Sequence, residues 1–107
     1  SSHPQHQLAR KQMQNFSGMV SIRVRGGEAV AGKMAKELSV FHYAVSLGHH
    51  RSLVYWIGTN DLMATTYHLE GEQLEAYTAM AGEGVFRISV GLEDAEDLCA
   101  DLDQVLC

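Results

Sequence analysis

The chain has few of the residues that mark linkers, disulfide scaffolds or nucleic-acid surfaces. Its only proline is Pro4, and no stretch is rich in proline or serine, so we expect residues 1–107 to form a single domain. Eight basic residues are scattered among thirteen acids, and the net charge of −5 argues against a nucleic-acid partner, which would require a basic patch. Apolar runs fall short of the roughly 18 residues that span a bilayer. We see no signal-peptide pattern and expect a cytoplasmic protein without a membrane partner.

The two cysteines, Cys99 and Cys107, are too few for a disulfide framework. We interpret them as reduced thiols. Cys99 falls on the apolar stripe of the last predicted helix, so we expect it to be a small core residue. Neither cysteine has a basic neighbour that would lower its pKa, and this argues against a nucleophilic role.

Motifs that would supply complete catalysis are missing from the chain. The adjacent His49 and His50 are expected to point in different directions, and no C-x-x-C or H-E-x-x-H is present, so we predict no metal site. No G-x-S-x-G, phosphate-binding loop or G-x-G-x-x-G occurs either. The chain alone therefore contains no catalytic constellation.

Hydrophobic periodicity predicts alternating strands and helices. Alternation and β-branched content indicate strands at 19–25, 41–46, 52–57 and 85–91. Helical spacing indicates helices at 5–16, 28–38, 71–81 and 93–106, with 58–70 irregular. The central βαββαβ order, with right-handed crossovers, predicts an α+β fold of the split βαβ sandwich type. We expect a largely antiparallel four-stranded sheet with helices on one face.

The last predicted helix carries four acids at its start, Glu93, Asp94, Glu96 and Asp97. Negative charge is favourable there because of the helix dipole, so we assign these acids a structural role. Its apolar stripe is predicted to contain Leu92, Ala95, Leu98, Cys99, Leu102 and Val105.

An arginine interrupts the apolar strand VFRISV near the end of the chain. Phe86, Ile88 and Val90 share one face of this strand, and Arg87 lies on the other. A charged group in that position needs water or an anion. Two interpretations remain open: a surface salt bridge, or a fork that binds the carboxylate of a small ligand.

The segments SSHPQHQLARKQM, GMVSIRVRGG, FHYAVSLG…RSL and FRISVGLEDAEDLCADLDQVL, in this order, resemble a known family. They are similar to the C-terminal part of pyridoxal-phosphate (PLP) trans-sulfuration enzymes, which include methionine γ-lyase, cystathionine γ-lyase, cystathionine β-lyase and cystathionine γ-synthase. The match covers residues 2–106.

The resemblance implies a small C-terminal domain of a fold-type I enzyme, which closes the active site over a sulfur-containing amino acid. The family's cofactor lysine, in an S-x-T-K context, belongs to a large domain, and none of Lys11, Lys33 and Lys36 has that context. We therefore expect the chain to be one piece of a longer enzyme, with PLP held by the large domain. We also expect it to be inactive alone and to form homo-oligomers.

The resemblance also assigns roles to three residues. Arg87 matches the arginine that binds the substrate α-carboxylate, and Ser46 matches the serine of the S-L-G motif near the substrate. Val45 matches a position that tends to be glutamate in cystathionine-handling members and valine in methionine lyases, which favours methionine γ-lyase-like specificity.

The chain departs from the family pattern at two places near the active site, 46–53 and 57–62. The choice of substrate, and between elimination and replacement, therefore stays open. The alternative to the enzyme hypothesis is a stand-alone module for ligand binding or oligomerisation, because fold alone does not decide function.

Overall fold

The computed structural model describes residues 2–46 and 49–106. Within these ranges the helices are α1 (His6–Gln12), α2 (Gly27–Glu37), α3 (Thr59–Met63), α4 (Gly71–Ala81) and α5 (Ala95–Leu106). The strands are β1 (Met19–Ile22), β2 (His42–Tyr43), β3 (Leu53–Gly58) and β4 (Gly84–Ser89). Among the described helices, none has both the length and the apolar character needed to cross a membrane.

The four strands form one sheet in the order β1-β4-β3-β2. Strand β4 is flanked by β1 and β3 and is antiparallel to both, with Arg87 opposite Ser21 on one side and opposite Tyr55 on the other. Strand β2 adds to the far edge of β3 in parallel, over His42 and Tyr43 only. The predicted α+β class, with a largely antiparallel four-stranded sheet, is confirmed.

The core lies between one face of this sheet and helices α2 and α5, as predicted. Phe86 and Met34 are fully buried there, and each contributes roughly 1.5–3 kcal/mol through the apolar surface removed from water. The buried cluster consists of Ala31, Met34, Phe41, Val54, Phe86, Ile88, Leu98 and Val105. The opposite face of the sheet carries Ser21, Tyr55 and Arg87, because side chains alternate along each strand.

The expected split βαβ sandwich is wrong in its strand order. In that arrangement, one other strand lies between the two strands of a βαβ unit. Here β1 and β2, which are connected by α2, have two strands between them, β4 and β3. The reason is that β3 and β4 pair directly, like a hairpin with a long connection. Thr59 closes this connection, since its N–H donates to the Glu83 carbonyl and its hydroxyl to the Gly82 carbonyl, both at 2.8 Å. Helices α3 and α4 therefore lie beyond the end of the sheet, and α4 buries only Ala81.

Several predicted boundaries need correction. Strand β1 ends at Ile22 and not at 25, β2 has two residues instead of six, and the predicted irregular region contains α3.

Val90 lies beyond β4 and is 43% exposed, so it does not extend the buried face of Phe86 and Ile88. In α5, Cys99 is exposed and Asp101 occupies the buried stripe in its place. Cys107 lies outside the described residues.

Two glycines make room for the indole of Trp56, which packs on Phe86 with ring centroids 4.8 Å apart. A Cβ on Gly27 would lie 2.2 Å from the Trp56 ring, and one on Gly84 would lie 2.5 Å from it. Gly27 and Gly84 thus let the start of α2 and the start of β4 approach the same side chain.

Candidate functional site

Arg87 lies near the middle of β4 on the sheet face away from α2 and α5. Its neighbours along the strand, Phe86 and Ile88, are buried in the core, while Arg87 is half-buried. Across the sheet it is flanked by Ser21 and Tyr55. The alternation of the strand therefore holds the guanidinium on a surface formed by small and aromatic side chains.

The guanidinium of Arg87 forms no ion pair or hydrogen bond with the residues that the structure describes. The salt bridge considered from the sequence is thus not formed within 2–46 and 49–106. Arg23 behaves differently, since its Nη1 donates to the carbonyl oxygens of Ala79 and Met80 at 3.3 and 3.1 Å. Among the described residues no group occupies the fork of Arg87, and a carboxylate matches its two-point geometry.

Aromatic side chains connect Arg87 to the end of β2. Tyr55, next to Arg87, packs on Tyr43 with ring centroids 5.6 Å apart. The Tyr43 phenol oxygen accepts the N–H of Trp56 at 3.4 Å and so occupies the part of the β3 edge that the short β2 leaves unpaired. The end of β2 is two strand spacings from Arg87, or about 10 Å.

Val45 and Ser46 follow β2, and both are exposed, Val45 at 63%. They continue from β2 at the edge of the sheet, so that β3 lies between them and the strand of Arg87. No hydrogen bond joins Ser46 to Arg87 in the described part of the chain. Residues 47–48 of the predicted S-L-G turn lie outside the described residues.

Glu93 ties the start of β3 to the end of β4. Its carboxylate accepts the Ser52 N–H at 2.7 Å and the Ser52 hydroxyl at 2.7 Å, and that hydroxyl oxygen accepts the Gly91 N–H at 2.8 Å. The bonds from the Ser52 hydroxyl and backbone hold the pKa of Glu93 below its ordinary value. A Cβ on Gly91 would lie 2.3 Å from the His50 carbonyl oxygen, so only glycine permits this approach.

Asp101 holds the chain that leads into β2. Its two carboxylate oxygens accept the backbone N–H groups of Ser39, Val40 and Phe41 at 2.9, 2.9 and 2.8 Å. The Ser39 hydroxyl and the Gln104 amide donate to it as well. Burial alone would raise the pKa of Asp101, but these hydrogen bonds outweigh it and lower the pKa.

The role of Asp101 was not predicted from the sequence, although the sequence contains one signal for it. Asp101 stands three residues after Leu98 and four before Val105, at a spacing that places it on the buried stripe of α5. The structural role assigned to the acids before the helix is supported at Glu93 and at Asp94, whose side chain accepts the Glu96 N–H at 2.9 Å.

The predicted divergence of His49 and His50 is wrong. Their rings stack with centroids 4.1 Å apart, and Nδ1 of His49 accepts the Arg51 N–H at 3.1 Å. This turn leads directly into Ser52 and its bond with Glu93.

These features define a class: a small two-layer α+β domain with an arginine on its open sheet face and carboxylates that fix the neighbouring loops. The family model described as Cys/Met metabolism PLP-dependent enzyme matches residues 1–107. The chain belongs to this family, and the resemblance noted in the sequence is confirmed.

The relatives are much longer than this chain. Cystathionine gamma-synthase of Mycobacterium leprae is 40% identical over 105 residues, which are 98% of this chain and 25% of that protein. L-methionine gamma-lyase of Fusobacterium nucleatum subsp. polymorphum is 35% identical over the same shares of the two chains. The crystal structure of cystathionine gamma synthase from Xanthomonas oryzae pv. oryzae in complex with cystathionine matches with a TM-score of 0.70 at 33% identity, covering 99% of this chain and 26% of that one. The chain thus spans about a quarter of the relatives' length.

The residues of this chain do not fit a PLP site by themselves. A PLP enzyme needs a lysine amine positioned to bond the cofactor. Lys11 is on α1, while Lys33 and Lys36 are on α2, which packs against the other face of the sheet from Arg87. Lys33 also lies 4.0 Å from Glu37. Lys33 and Lys36 are therefore separated by the sheet from the open face that carries Arg87.

Proposed function

We propose that this chain is the substrate-closing domain of a PLP-dependent trans-sulfuration enzyme that acts on a sulfur-containing amino acid. In this proposal a large domain holds the cofactor, and the chain contributes an anchor for the substrate. Family membership supports the reaction class, and the placement of the three lysines supports a division of labour between two domains.

The observation that carries the proposal is the position of Arg87. It is half-buried, it lies on the sheet face that no helix of the core covers, and it has no anionic partner among the described residues. An amino-acid carboxylate would satisfy both of its forked donors. Binding at two points would also fix the orientation of the amino acid, and correct orientation accounts for a large share of catalytic rate enhancement.

Val45 and Ser46 are proposed to contact the remainder of the substrate. Both are exposed after β2, on the same half of the sheet as the Tyr43–Tyr55 pair. An uncharged side chain at position 45 is compatible with a substrate whose distal end is apolar, such as methionine.

The large domain and a second copy of the chain are the proposed protein partners. Helix α1 buries no residue, and the segment around it exposes Leu8, Met13 and Phe16 at 48%, 42% and 53%. Apolar side chains grouped in this way favour a protein contact.

Replacing Arg87 by lysine in the PLP-loaded enzyme that carries this chain tests the proposal. Lysine keeps the charge but loses the fork, and hydrogen bonds to charged groups contribute about 1.5–3 kcal/mol, so we expect KM for the amino acid to rise roughly 10–100-fold. The cofactor's absorption spectrum should stay unchanged. Arg25→Lys, at an exposed arginine of the loop before α2, is the matched control.

A substrate analogue that lacks the carboxylate makes this test specific. We expect the decarboxylated amine to bind the Arg87→Lys variant and the parent enzyme equally. An unchanged KM for the amino acid, or an equal loss for acid and amine, would contradict the assignment of Arg87.

A further inference from the structure

Both ends of the segment 39–52 are held by carboxylates that come from outside it. At its start, Asp101 accepts the N–H groups of residues 39–41 at 2.8 to 2.9 Å. At its end, Glu93 accepts the Ser52 N–H and hydroxyl, both at 2.7 Å. Glu93 and Asp101 belong to one continuous stretch of chain that runs from the end of β4 into α5.

Few buried contacts hold the described residues between these anchors, 44–46 and 49–51. Residues 45–46 and 49–51 are exposed, and Ala44 is half-buried. Two backbone hydrogen bonds reach these residues, from the Ala44 N–H to the Val54 carbonyl at 3.2 Å and from the Leu92 N–H to the His50 carbonyl at 2.9 Å. A stretch with few buried contacts takes its position from its anchored ends.

The second anchor is also close in sequence to the proposed substrate anchor. Glu93 follows Arg87 by six residues, and the Ser52 hydroxyl joins Glu93 to the Gly91 N–H at 2.8 Å. The Ser52 carbonyl in turn accepts the His42 N–H at 2.9 Å, so the same network links the end of the Arg87 strand to β2, which leads into Val45 and Ser46.

We infer that Glu93 and Asp101 are positioning residues, which hold residues 39–46 and 49–52 so that Val45 and Ser46 face the side chain of an amino acid anchored at Arg87. The inference rests on the proposed function. It deepens that function because it separates the group that binds the carboxylate from the groups that set side-chain selectivity.

Amide hydrogen exchange in the 107-residue chain tests the anchoring itself. We expect amides in 44–46 and 49–52 to exchange at least tenfold faster in Glu93→Ala than in Glu96→Ala, an exposed acid whose side chain has no bond to the segment. The core amides of Val54 and Ile88 should change less than twofold. A uniform increase across the sheet, or no increase in the segment, would overturn the inference.

The other end of the segment has its own matched pair. Asp101→Asn should speed exchange in 39–46 relative to Asp103→Asn, since Asp103 is exposed on the same helix. Equal exchange in these two variants would overturn the role of Asp101. If Glu93→Ala does not fold, Ser52→Ala removes the same hydroxyl link from the other side, and the same comparison applies.

Ligand selectivity distinguishes this inference from the proposed function. In the PLP-loaded enzyme, Glu93→Ala should weaken inhibition by L-norleucine at least tenfold and by L-alanine less than threefold, because only the longer side chain reaches the segment. Arg87→Lys should weaken both ligands equally. If Arg87→Lys weakens inhibition by neither ligand, the proposed carboxylate anchor is contradicted. If Arg87→Lys weakens inhibition by both ligands, but Glu93→Ala affects both equally or affects neither, only the positioning role is contradicted.

Discussion

Asp101 combines a charge with burial, and its acceptor oxygens satisfy three consecutive backbone N–H groups. Asp101→Ala leaves these donors without their partner, and an unsatisfied buried group costs about 1–3 kcal/mol. Water can reach Ser39, so we expect a total loss of about 2–4 kcal/mol in the free energy of unfolding. Urea denaturation measures this loss, with Asp103→Ala as the exposed control; equal stability of the two variants would show that the hydrogen bonds contribute nothing.

The pH dependence of stability follows from the same residue. Hydrogen bonds lower the pKa of Asp101 in the folded chain, so the unfolded chain binds a proton at higher pH than the folded chain. The stabilisation is therefore complete above pH of about 4, the ordinary range for aspartate, and is lost as the pH falls toward the lower folded value. Asp101→Asn should flatten this acid limb of the stability curve in urea titrations at several pH values. If the unfolding free energy of Asp101→Asn falls as steeply at acid pH as that of the parent chain, carboxylates other than Asp101 cause the acid destabilisation.

At the same scale, the sequence predicts some side chains and not others. Alternation along β4 is a local property, and it correctly places Arg87 on the face opposite Phe86 and Ile88. The role of Asp101 depends on partners about 60 residues earlier in the chain, with separations of 60 to 62. Such a partnership has no local pattern, and an acid on an apolar stripe is the only trace it leaves.

Helix α2 offers a test at the level of a secondary-structure element, because its two glycines, one at its first position and one in its interior, have opposite surroundings. A Cβ at Gly27 would lie 2.2 Å from the Trp56 ring, whereas a Cβ at Gly32 has no atom within 4 Å. We expect Gly27→Ala to destabilise the fold by about 1–3 kcal/mol through overpacking. Gly32→Ala should stabilise it by about 0.5–1 kcal/mol, because alanine restricts the unfolded chain and favours the helix.

Thermal unfolding followed by fluorescence measures both changes, since Trp56 is the only tryptophan of the chain. A shifted emission maximum in Gly27→Ala alone would show that the indole has moved. Stabilisation by Gly27→Ala would mean that Trp56 has room to rearrange and that glycine is not required at this contact.

Elements were predicted more reliably than their arrangement. Periodicity finds the four strands and the helices α2, α4 and α5, because each has a local hydrophobic pattern. The strand order could not be obtained in this way. The strand order depends on the direct antiparallel pairing of β3 with β4. Because of this pairing, residues 59–83 extend beyond the end of the sheet and do not cross over its face. The short length of β2 also involves Tyr43. Its phenol oxygen accepts the Trp56 N–H, which a backbone carbonyl of a longer β2 would otherwise accept.

At the scale of the whole molecule, the proposed separation of substrate anchoring from cofactor chemistry can be tested with the chain alone. Arg87 lies on the open face of the sheet, while Lys33 and Lys36 lie on a helix that packs on the opposite face. We therefore expect the purified 107-residue chain, with added PLP, to show no absorption band of lysine-bound cofactor. We also expect no turnover of methionine or cystathionine. Borohydride trapping followed by peptide mass spectrometry measures any bonded lysine directly.

Nonspecific labelling is the expected background in that experiment, and it should fall on the exposed Lys11 and Lys36 without saturation. Saturable labelling at one lysine, together with turnover, would contradict the division of labour. The amine would then have to reach the substrate from the helix-covered face or from a second copy of the chain. The Arg87→Gln variant, which removes the guanidinium without adding an amine, is the comparison: turnover that survives in it would not depend on a carboxylate anchor at Arg87.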